Sequence, residues 1–65
     1  PWRVILTQNG VQLAEVPHTS EAKAYGHVRS ALQSGADTAR IEYWEDDLWR
    51  WFETVTADEV PAQQS

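Results

Sequence analysis

The chain has 65 residues, no cysteine, and ten acidic against five basic residues for a formal net charge of −5. That length makes one domain with a small core, because a domain of about 60 residues buries only about 60% of the surface its unfolded chain exposes. Disulfides and thiolate zinc sites are excluded, the acidity disfavours duplex nucleic acid and anionic membrane surfaces, and no apolar run reaches the length of a membrane span.

The first elements are legible from turn chemistry. Asn9-Gly10 separates two strand-like runs, and this dipeptide suits a type I′ turn, which needs positive φ at both central residues. Residues 2–8 and 11–17 are therefore expected to pair as an antiparallel hairpin. A two-residue loop sets Leu6 opposite Leu13, Ile5 opposite Ala14 and Val4 opposite Glu15. One face then carries Trp2, Val4, Leu6, Val11 and Leu13. The other carries Ile5, Ala14 and Val16 among Arg3, Thr7 and Gln12.

A helix is expected over residues 20–34. Thr19 or Ser20 supplies the cap, and Glu21 in the first turn suits the helix dipole. Ala24, Tyr25, Val28, Ala31 and Leu32 recur at helical spacing as one apolar stripe, with Lys23, His27, Ser30 and Ser34 opposite. Gly35 provides the positive φ of a C-terminal cap. Gly26 costs about 1 kcal/mol relative to Ala inside a helix, unless another backbone approaches there.

Five of the seven aromatic residues fall between positions 43 and 52: Tyr43, Trp44, Trp49, Trp51 and Phe52. Residues 38–45 and 48–56 read as a second hairpin around an acidic turn. With Asp46-Asp47 as a two-residue turn, Trp44 faces Trp49, Glu42 faces Trp51 and Ile41 faces Phe52. Trp44, Trp49, Trp51 and Val55 then share a face with Arg40, Glu42 and Glu53. A one-residue slip would instead gather Ile41, Tyr43, Trp49 and Trp51 and pair Glu42 with Arg50. Residues 57–65 show no periodicity and read as a flexible C-terminal tail beyond a single domain of residues 1–56.

The order ββαββ predicts an α+β fold: a four-stranded, mainly antiparallel sheet with one helix packed on one face. Strand order 2-1-3-4 makes every neighbour antiparallel. One helix covers one face, so the second face is left without a covering element. Three tryptophans at about 200 Å² each represent on the order of 15 kcal/mol of burial, as an upper bound. Either they form core in a strongly curled sheet or they meet another chain. Trp44, Trp49, Trp51 and Val55, with Arg40 beside them, are therefore the candidate protein interface of a homodimer or of a complex with another protein.

Other chemistries are poorly supplied. Stacking of single-stranded bases, with Arg40 and Arg50 as phosphate contacts, is opposed by Glu42, Glu45, Asp46, Asp47 and Glu53. Glu45-Asp46-Asp47 is too short for a calcium loop, and Glu42 with Glu53 on an open sheet has no cleft for paired-acid catalysis. His18 and His27 are too few for a structural metal cage without carboxylates, and read as surface imidazoles. No catalytic, cofactor or metal site is expected, and the setting is expected to be cytoplasmic. An acidic inhibitor that mimics nucleic acid is the first alternative, presenting Glu42, Glu45, Asp46, Asp47, Glu53, Asp58 and Glu59.

Pro1 raises the second alternative, a minimal enzyme. Small tautomerases are similar to this chain in length and use an amino-terminal proline as a base. That family passes from its first strand into a long helix, whereas Asn9-Gly10 turns this chain into a second strand. No arginine pair is visibly placed around a substrate carboxylate.

Overall fold

The computed structural model describes residues 1–60, and the part of the expected tail at 61–65 lies outside the described residues. The elements are β1 (Trp2–Gln8), β2 (Val11–His18), α1 (Glu21–Gln33), β3 (Thr38–Glu45) and β4 (Leu48–Thr56). They form one antiparallel sheet in the order β2-β1-β3-β4, with the helix on one face. The ββαββ reading and the strand order are both met. A short 3-10 turn at Ala57–Glu59 follows β4 and leads Val60 onto the core, so the described chain keeps packing past residue 56.

Both hairpin turns adopt the left-handed backbone that a type I′ turn requires. Asn9 and Gly10 have φ of 53° and 78°, and Asp46 and Asp47 have 53° and 61°. Asn and Asp tolerate this region better than other side chains, so a two-aspartate turn closes the second hairpin without glycine. The Ser20 side chain accepts a hydrogen bond from the Lys23 backbone N–H at 3.2 Å and caps α1. At the other end Gly35 has φ 124°, and the Ala36 N–H returns to the Ala31 carbonyl at 3.1 Å. Asp37 then ties the helix exit to the first hairpin. Its N–H donates to the Thr7 carbonyl, and its carboxylate accepts from the Asn9 N–H.

The core lies between α1 and the sheet. Ala24, Val28 and Leu32 pack on Val4, Leu6, Ala39, Ile41 and Val55, with Ala36 beneath the helix exit. Several of these groups are alanines, and the largest fully buried side chains are only Ile41 and Val4. The core is correspondingly thin.

Two β-bulges separate the observed register from the expected one. In the first hairpin the shift falls between Leu6 and Thr7, and Leu13 becomes the extra residue of β2. Leu6 therefore faces Ala14, Ile5 faces Glu15 and Val4 faces Val16. Ala14 joins the margin of the core, while Leu13, expected on the face of Val4 and Leu6, is exposed. In the second hairpin Trp44 faces Trp49 and Glu42 faces Trp51 as expected, but Ile41 faces Glu53 because Phe52 is bulged out of the ladder. An extra residue reverses the alternation of side chains beyond it. This moves Glu53 and Val55 away from the tryptophans and onto the helix side.

Candidate interaction surface

The face without a helix is built around Glu42. Its position in β3 lies opposite Arg3 of β1 and Trp51 of β4. Arg3 donates from Nε to Glu42 Oε1 at 2.7 Å, and its Nη1 meets Glu15 Oε1 at 2.6 Å. Arg40 Nε reaches the other Glu42 oxygen at 2.8 Å. Glu42 is thereby only 6% exposed, and both its oxygens are held by arginines. A buried carboxylate is costly unless paired and hydrogen-bonded, and here it is both. The four charges Arg3, Arg40, Glu15 and Glu42 cancel within this face.

The tryptophans surround that network. The Arg3 guanidinium lies 4.3 Å from the Trp49 ring centroid, a cation–π contact of about 1 kcal/mol. Trp44 meets Trp49 edge to face at 5.2 Å, so Trp49 is half-buried beneath its own neighbours. Trp44 and Trp51 stay 45% and 57% exposed. Trp51 is oriented by a hydrogen bond from its Nε1 to Thr54 Oγ1 at 2.8 Å. Aromatic groups with a fixed orientation and a polar edge suit an interface, since little side-chain freedom is lost on docking.

Of the five residues expected at the interface, the structure brings Trp44, Trp49, Trp51 and Arg40 to this face. Val55 is corrected. It is buried against the helix as core, because the Phe52 bulge turns β4 over before it. Trp2, Tyr43 and Phe52 form a separate cluster, in which Trp2 meets Phe52 at 5.1 Å and lies 5.8 Å from Tyr43.

The carboxylates do not make one acidic face. Glu42 lies in the helix-free face, and Glu53 accepts the Tyr25 hydroxyl on the helix side. Glu45 and Asp46 engage Arg50 at the β3–β4 turn, while Asp58 and Glu59 bond Thr56 at the far end of β4. Pro1 borders an open depression with Pro17, His18, Thr19 and Lys23, with no arginine in its lining. Its carbonyl accepts from the Trp44 N–H at 2.6 Å, extending the sheet.

Comparison with family models, with curated proteins and with solved structures finds no match. Among the described residues no helix is long and apolar enough to cross a membrane.

Two polar contacts escape the sequence. His27 is half-buried, where helical spacing set it on the exposed side, and Nε2 of His18 lies 2.8 Å from its Nδ1. Burial, then His27, then Lys23 hold the His18 imidazole below its ordinary value of 6.5. The hydrogen bond from Tyr25 to Glu53, reinforced by burial, pushes the Tyr25 phenol up to about 12. Both pairs link the helix to a strand, a contact for which local spacing gives no signal.

Proposed function

We propose that this protein is a binding module, without catalytic chemistry of its own, that pairs with a second copy of itself through the helix-free sheet face. The observation that carries this reading is the exposure of Trp44 and Trp51 on a sheet face that none of the described elements covers. The charge pattern favours a second copy over a strongly charged partner. Arg3, Arg40, Glu15 and Glu42 neutralise one another at the centre, while Glu45, Asp46 and Asp47 lie at the turn and Asp58 and Glu59 beyond the other end of β4. In a two-fold contact each patch meets its own copy, so like charges belong at the rim and apolar groups at the middle. The thin core gives a further reason, because small domains gain stability by associating.

A standard interface would bury about 800 Å² on each subunit. Sedimentation equilibrium should give twice the monomer mass at micromolar concentration. Trp51→Ala and Trp44→Ala should each shift the equilibrium toward monomer, while Val11→Ser, an exposed change in the other hairpin, should not. A monomer at high micromolar concentration would overturn the reading.

A further inference from the structure

His18 ends β2 and His27 lies in α1, and the fold brings Nε2 of one to 2.8 Å from Nδ1 of the other. The ring centroids are 4.9 Å apart and the planes inclined by 58°. Between two neutral imidazoles at this distance one proton is shared, so only one ring offers a lone pair to the contact. With that proton on a remote nitrogen instead, both facing nitrogens become donors to a single ion.

The spacing selects the ion. A metal about 2.0–2.1 Å from each nitrogen, with the two bonds at a right angle, sets the nitrogens about 2.9 Å apart. A tetrahedral zinc angle would need about 3.3 Å. The observed 2.8 Å is nearer the right-angle spacing, and each facing lone pair must swing about 45° off the N···N line to reach the ion. We propose that His18 and His27 form an open two-histidine site for a divalent late transition ion of tetragonal preference, Cu²⁺ first and Ni²⁺ after it.

Cu²⁺ also heads the affinity order for nitrogen ligands. On binding, the shared proton moves to the remote nitrogen of its own ring and both facing lone pairs bond the metal. No net proton is released where both rings are neutral. His18, but not His27, also lines an open depression with Pro1, Pro17, Thr19 and Lys23. Among the described residues no group of three or more His, Asp or Glu side chains is placed to hold a metal, so this site is open and not a closed cage. The nearby Lys23 ammonium opposes a cation.

Calorimetric titration with CuCl₂ alone, alongside electron paramagnetic resonance, tests the site. One equivalent should bind at pH 7.5 with hyperfine coupling to two imidazole nitrogens. His18→Gln and His27→Gln should each weaken binding by about tenfold or more, since each removes one of two donors. Lys23→Gln should tighten it. Thermal melts of each variant establish that it is folded. Binding that both folded histidine variants retain unchanged, or no binding at millimolar Cu²⁺, would overturn the proposal.

Discussion

Gly26 shows how a single residue can carry a cost with no compensating contact. A methyl group built on it meets nothing within 4 Å, so no close backbone approach requires glycine there. Its helical backbone suits alanine, and Gly26→Ala should stabilise the protein by about 1 kcal/mol, read as a higher denaturation midpoint. His18 carries a pH dependence of definite sign. Its folded value lies below 6.5, so the unfolded chain binds the proton more readily in the interval between the two values. The contribution of His18 to stability is fully present above 6.5 and is lost as pH falls toward the folded value. The urea midpoint should therefore drop between pH 7.5 and pH 5.5, and His18→Gln should reduce that drop. An equal drop in the variant would assign the effect to other groups.

At the scale of elements, α1 holds the fold together through few side chains. Leu32 and Val28 are the larger buried groups it supplies. Leu32→Ala should cost about 2–5 kcal/mol, comparable to the whole stability of a domain this small. A melting curve unchanged by that substitution would show that the helix is anchored elsewhere. The elements themselves were readable because their signals are local. Asn9-Gly10 marks the first turn, Ser20 and Gly35 bracket the helix, and aromatic and β-branched residues mark the strands. The face each strand residue occupies was only partly readable. Alternation assigns Trp44, Trp49 and Trp51 together, but it runs on unbroken and so misplaces Glu53 and Val55 after Phe52. Nothing local distinguishes Phe52 or Leu13 as an extra residue. The contact of Arg3 with Glu42 spans 39 positions, and the histidine contact joins a strand to a helix, so both follow from topology.

The described residues form a plate, one sheet with a helix on one side, and its broad helix-free side bears the tryptophans. An open four-stranded sheet has two outer strands, β2 and β4, and unpaired backbone groups along such strands are templates for runaway polymerisation. Here both are interrupted. Leu13 bulges β2, Pro17 removes one of its N–H donors, and Phe52 bulges β4. The irregularities that scramble side-chain alternation thus also protect the protein from fibre growth. Sideways addition of further copies is thereby disfavoured, which leaves the flat side as the face through which the proposed pair would close. Restoring a regular margin should reverse this: Pro17→Val combined with deletion of Leu13 should shorten the lag before thioflavin-positive fibrils appear, while Gly26→Ala, made on the helix, should leave it no shorter.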